Sequence, residues 1–156
     1  MGAKVLGVDT GKAKQEFIEG FGAKFLDFAQ TKDLVGDVRK ITGGGTHAAV
    51  VTSGHPQAFS SAADMLRIGG ALCCVGIPPG DVSLDTPIAA IVIKGLRIMG
   101  NLVGSMKETL EAVELVRCGK VKPHVKVRDF KDLPEVYQML EKDDIPGRIV
   151  LRIGGE

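Results

Sequence analysis

Short apolar runs alternate with amphipathic stretches along most of this chain. That alternation predicts parallel strands joined by covering helices. Residues 5–8 read as a strand, 12–21 as a helix stopped by Gly20 and Gly22, and 24–28 as a short strand. Thr31 is expected to cap a helix that runs to Ile41, with Asp33 in its first turn. After the turn at Gly43 to Thr46, residues 48–52 form a strand. Pro56 then opens a helix to Arg67 that Gly69 and Gly70 stop. Residues 71–76 are the next strand, followed by the turn Pro78-Pro79-Gly80-Asp81. Beyond it the rhythm loosens into a short helix at 87–94, a strand at 96–100 and a helix at 106–118. Strands at 125–127 and 148–153 then flank a helix at 133–141. The rhythm changes near Lys122 and Pro123, the one candidate boundary.

Composition narrows the class. The 156 residues are one domain's worth, and 44% hydrophobic with 25% charged residues fits a soluble globular protein. A formal net charge of +1 offers no footprint for nucleic acid or an anionic membrane. No apolar run approaches the roughly 18 residues of a spanning helix, and no basic-then-apolar leader pattern opens the chain. Three cysteines, two of them adjacent at Cys73 and Cys74, argue for a reducing, cytoplasmic setting without disulfides.

Asp9 carries the first chemical signal. A buried strand ending in a carboxylate is the pattern of the second strand of a dinucleotide-binding unit, roughly 20 residues after a glycine-rich phosphate loop. Eight residues precede Asp9. The first strand, the phosphate loop and most of the helix after it are therefore expected to lie outside this chain. Asp9 serves the adenosine ribose, favouring NAD over NADP, or it simply caps the next helix; spacing supports both. Lys12 and Lys14 follow in the first turn. Val51-Thr52-Ser53-Gly54, Cys74-Val75-Gly76-Ile77 and Gly100 to Gly104 all fall at carboxyl ends of predicted strands. Ligands of open α/β sheets sit there, and glycine lets the backbone approach closely. His47, His55 and His124 lie on separate segments, and Cys73 and Cys74 point to opposite faces of one strand. The pattern supports no metal site, no nucleophile elbow and no catalytic triad.

Four separated motifs carry a resemblance that covers essentially the whole chain. They are V-L-G-V-D-T-G-K-A-K from Val5, F-L-D-F from Phe25, V-K-x-R-D-F-K-D-L-P-E-V-Y from Val125 and I-P-G-R-I-V-L-R-I from Ile145. Together they resemble the C-terminal half of zinc-type medium-chain alcohol dehydrogenases, nearest to the tetrameric NAD-dependent ethanol-type branch. The resemblance implies an NAD-dependent oxidoreductase. In it Asp9 holds the adenosine ribose with Lys14 beside it, and Phe28 flanks the adenine. Ser53 lies near the cofactor. Val75 and Ile77, around Gly76, face the nicotinamide carboxamide. Asn101, in place of a serine, and Val103 make the next contact, and Arg148 reaches the pyrophosphate from the last strand.

The same resemblance implies zinc in the parent enzyme, with the zinc ligands and every catalytic residue upstream of Met1. The expected fold is α/β, an incomplete Rossmann-like parallel sheet lacking its first strand and glycine-rich loop. Residues 1–122 would be the partial dinucleotide-binding domain, and 123–156 a C-terminal segment that returns to the catalytic domain. Loss of the central first strand should split the sheet into a pair and a triplet with unpaired inner edges. The parent would act on a small alcohol or aldehyde, while this chain alone should be inactive. Its expected partners are copies of itself or full-length subunits, with no nucleic acid and no membrane. The other readings are an inert assembly module and a gene-model fragment.

Overall fold

The computed structural model describes residues 2–142, 145 and 147–154. Two compact units divide the chain between Val103 and Gly104.

The first unit is built from strand–helix repeats. Strand β1 (Leu6–Asp9), helix α1 (Lys12–Glu19) and strand β2 (Lys24–Asp27) come first, followed by a 3-10 turn at Phe28–Gln30. Helix α2 (Leu34–Thr42), strand β3 (Thr46–Val51), helix α3 (Pro56–Met65), strand β4 (Leu66–Cys74), helix α4 (Ile88–Lys94) and strand β5 (Arg97–Gly100) complete it. Every pairing is parallel: β1 with β2 in one sheet, and β3-β4-β5 in another. The expected division into a pair and a triplet is therefore the observed topology.

The core forms where α3 covers the triplet. Phe59, Ala62 and Ala63 recur at helical spacing on α3 and pack with Leu66, Val51, Leu72 and Leu96. Leu72, on the middle strand, is fully buried. Burying one such side chain contributes about 1.5–3 kcal/mol, and this cluster ties α3 to all three strands of the triplet.

Local chemistry departs from the sequence expectation at two places. Asp33, not Thr31, is the N-cap of α2: its carboxylate accepts from the Gly36 amide at 2.9 Å. Thr31 instead accepts from the Asp33 amide and donates to Asp37. The other place is the junction of α3 and β4. The helix stops at Met65 and β4 begins at once, so Gly69 and Gly70 lie within the strand. Between Thr46↔Leu66 and Ala48↔Ala71 the register shifts, which makes residues 67–70 a bulge. Gly69, with φ of 73°, provides its turn.

The second unit comprises helix α5 (Met106–Arg117), strand β6 (Val125–Asp129), a 3-10 turn at Phe130–Asp132, helix α6 (Leu133–Glu141) and strand β7 (Arg148–Arg152). Strand β7 pairs in parallel with β6 from Val125↔Arg148 to Asp129↔Arg152. The last strand thus forms a sheet with β6 alone among the described strands. Among the described residues, no helix is long and apolar enough to cross a membrane.

Candidate functional site

Parallel register brings the candidate residues of the first unit to strand carboxyl ends. Asp9 stands opposite Asp27 on the pair, and Val51, Cys74 and Gly100 align across the triplet. The loops that follow carry Ser53, Val75, Gly76, Ile77, Asn101 and Val103.

On the pair, Asp9 Oδ1 accepts from the Thr10 amide at 2.8 Å and from Lys14 Nζ at 3.1 Å. Among the described residues both contacts fall on one oxygen, which leaves Oδ2 facing none of them as an acceptor. Lys14 reaches Asp9 because α1 starts directly after Gly11, whose φ of 99° turns the chain from strand to helix. Asp27 was not singled out by sequence. Its Oδ1 accepts from the Ala29 amide at 2.9 Å and its Oδ2 from the Gly11 amide at 3.3 Å. The Thr10 hydroxyl holds the Asp27 carboxyl below its ordinary value, burial opposes this, and the Ala29 and Gly11 amides reinforce it. A strand-end aspartate preceding Phe28 was the available signal; the cross-strand partnership with Thr10 and Gly11 was not readable. Phe28 opens the 3-10 turn rather than ending β2, and its ring is about half exposed.

On the triplet, the Val75 and Gly76 amides both donate to the Val51 carbonyl, at 3.0 and 2.9 Å. This draws the loop after β4 over the loop after β3. A Cβ on Gly76 would lie 2.1 Å from the Ser53 carbonyl oxygen, so only glycine fits. Ser53 Oγ accepts from the His55 amide at 3.0 Å. The Asn101 amide donates to the Cys74 carbonyl at 2.9 Å, which extends the β4–β5 ladder past Gly100. Val75, Ile77 and Val103 present exposed apolar side chains at this end, and Val103 has a φ of 33°, an outlier for a β-branched residue. The end of the triplet thus combines a glycine held against a neighbouring loop with exposed apolar side chains.

Arg148 belongs to the second unit. It begins β7, its amide donates to the His124 carbonyl at 2.9 Å, and its side chain is exposed. Among the described residues, no group of three or more His, Cys, Asp or Glu side chains gathers to hold a metal ion. The described residues therefore do not fit the zinc that the resemblance implies, and no chemical step runs through it. Cys73 and Cys74 are partly buried free thiols. Burial, and then Cys73, pushes the Cys74 thiol above its ordinary value.

The family model described as zinc-binding dehydrogenase matches residues 1–117. An alcohol dehydrogenase of Schizosaccharomyces pombe is 39% identical over 152 residues, which span 97% of this chain and 43% of that protein. Alcohol dehydrogenase 1 of Emericella nidulans is 34% identical over 156 residues, 98% of this chain and 44% of the relative. Among solved structures, the alcohol dehydrogenase of Aeropyrum pernix aligns with a TM-score of 0.86 at 28% identity, over 97% of this chain and 43% of its own. The benzyl alcohol dehydrogenase of Acinetobacter calcoaceticus aligns at 0.84 and 25% identity, over 96% and 43%. The chain thus spans under half the length of these relatives. It belongs to the zinc-binding dehydrogenase family, and corresponds to the C-terminal half of a zinc-type medium-chain alcohol dehydrogenase.

Proposed function

We propose that this member of the zinc-binding dehydrogenase family supplies the NAD-binding portion of an alcohol dehydrogenase whose parent passes hydride between a small alcohol or aldehyde and NAD. The observation that carries the reading is Asp9 at the end of β1, with Lys14 3.1 Å away and its second oxygen available. Here Asp9 takes the adenosine ribose hydroxyls, Lys14 fixes the carboxylate, and Phe28 stacks on the adenine. Gly76 lets the backbone of Val75 and Ile77 approach the nicotinamide end, beside Ser53, Asn101 and Val103. NAD, when bound, supplies the hydride acceptor. In this proposal residues 1–122 are the nucleotide-binding portion and 123–156 the segment returning to the catalytic part.

Titration of the labelled chain with NAD, followed by amide NMR shifts, tests the reading. Binding is expected in the range of about 1 mM, with shifts centred on Asp9, Lys14 and Phe28. A charged hydrogen bond contributes about 1.5–3 kcal/mol, so Asp9→Ala should weaken binding about 10- to 100-fold. It should also erase the preference for NAD over NADP. Unchanged binding in Asp9→Ala places the nucleotide elsewhere and overturns the assignment. The chain by itself is expected to oxidise no ethanol with NAD and zinc present; turnover above a protein-free blank contradicts that.

A further inference from the structure

The charged side chains of the triplet and its helices are segregated by end. Within residues 37–100 the basic residues are Arg39, Lys40, Arg67, Lys94 and Arg97. All of them lie where α2 and α4 end or where β4 and β5 begin, which is the amino end of the three strands. Asp81 and Asp85 lie in the loop after β4, at the carboxyl end. The formal net charge of +1 on the whole chain therefore conceals a local excess of cations. That excess sits at the opposite end of the strands from Ser53, Gly76 and Asn101.

Lys40 is neutralised by Asp37, at 3.1 Å. Among the described residues, Arg39, Arg67, Lys94 and Arg97 pair with no carboxylate. They bond neutral acceptors instead. Arg39 Nη2 and Lys94 Nζ donate to one oxygen, the Asp64 carbonyl, at 2.8 and 3.4 Å. Arg67 donates through Nη1 to His47 Nε2 at 2.6 Å and through Nη2 to the Gly43 carbonyl at 3.4 Å. Arg97 Nη2 donates to the Gly69 carbonyl at 3.5 Å. Such acceptors orient the cations without cancelling their charge. The carbonyl ends of α2 and α3 offset only part of the repulsion. A guanidinium carries more N–H donors than these contacts use. Ile68 stands among the cations, between Arg67 and Gly69 in the bulge, and is 80% exposed.

We infer that the amino end of the triplet is a docking surface for an acidic segment of a partner protein, one in which carboxylates flank a large apolar side chain. The carboxylates take the unused donors of Arg67 and Arg97 in forked pairs, and Arg39 and Lys94 add charge beside them. The apolar side chain covers Ile68. An exposed isoleucine amid cations suits such a segment better than a bare phosphate, which has no apolar surface to lay on it. The inference does not depend on nucleotide binding, because the two surfaces lie at opposite ends of the strands.

The experiment is titration of the labelled 156-residue chain with a synthetic peptide, E-D-E-L-E-D-E, read by amide NMR shifts at low ionic strength. Saturable binding is expected, with shifts centred on Arg39, Arg67, Ile68, Lys94 and Arg97. Arg97→Gln and Ile68→Ser should each weaken it about fivefold or more. Both positions are exposed, and the Arg97 side chain makes a single long bond, so the variants keep the native amide spectrum. Lys107→Gln, on α5, should leave the affinity unchanged. A peptide with serine in place of leucine should bind about fivefold more weakly. Absence of saturable binding overturns the inference. So do equal affinities for the leucine and serine peptides, which would mean a solvated basic face that answers to charge alone, and equal weakening by Lys107→Gln. Inorganic pyrophosphate that shifts the same amides and binds more tightly than the peptide also overturns it, in favour of a small-anion site.

Discussion

At the scale of single residues, the candidate site includes two aspartates that differ in legibility. Asp9 was legible as a candidate because an apolar run that ends in a carboxylate is a local pattern, although β1 is only half-buried in the structure. Asp27 was not, because its partners Thr10 and Gly11 meet it only after β1 and β2 pair, Asp9 opposite Asp27. Gly76 was legible as a glycine near a strand end. The reason no other residue fits, the Ser53 carbonyl, comes from a neighbouring loop. Asp27 also sets a pH dependence. Its carboxyl is held below its ordinary value first by the Thr10 hydroxyl. A folded value below the unfolded one means that ionised Asp27 stabilises the fold above the ordinary aspartate range. That contribution fades as pH falls through the lowered folded value. Asp27→Asn should therefore flatten the acid side of the stability curve and leave its neutral side with little slope change. Urea midpoints collected from about pH 6 down to about pH 3 check this; an acid limb as steep as in the parent chain contradicts it.

At the scale of elements, periodicity located every α-helix and strand of the described chain, and it failed at their ends and at the two 3-10 turns. In Thr31-Lys32-Asp33 two residue types compete for one capping role. The competition is decided by geometry: Asp33 has φ −137° and ψ 78° and accepts from Gly36, so α2 starts at Leu34. The α3–β4 junction misled for another reason. Gly69 and Gly70 look like a helix stop, yet the stop is made earlier by long-range partners. Arg39 Nη2 donates to the Asp64 carbonyl at 2.8 Å, Lys94 Nζ reaches the carbonyls of Asp64 and Leu66, and Leu66 pairs with Thr46. None of these is local, so no window of sequence contains them. The cap assignment is testable. Asp33→Ala should cost about 1 kcal/mol of stability, and Asp33→Asn much less, since asparagine caps comparably. Equal denaturation midpoints for the parent chain and Asp33→Ala would return the capping role to Thr31.

At the scale of the whole chain, strand alternation was enough to anticipate parallel strands, while their division into a pair and a triplet followed from the strand order that the family resemblance implies with its first strand missing. Where the chain divides was harder to read. The sequence rhythm changes at Lys122 and Pro123, and a nucleotide-binding portion of 1–122 is proposed on that basis. The compact units part instead between Val103 and Gly104, so α5 falls in the second unit. The segment at the parting is irregular from Asn101 to Ser105, and Val103 is 96% exposed with a φ of 33°. A β-branched residue in that conformation is strained, and an exposed, irregular apolar segment is open to a protease that selects leucine and valine. Residues 118–124 offer the competing site, at Val121 after the glycine turn that ends α5. Brief thermolysin digestion followed by intact-mass analysis separates the two. If packing sets the boundary, the first cut falls at Leu102 or Val103, and α5 stays with β6, α6 and β7. A first cut at Val121, with α5 retained on the N-terminal fragment, would mean that the boundary in the rhythm of the sequence is the physical one and that α5 is held by the nucleotide-binding portion.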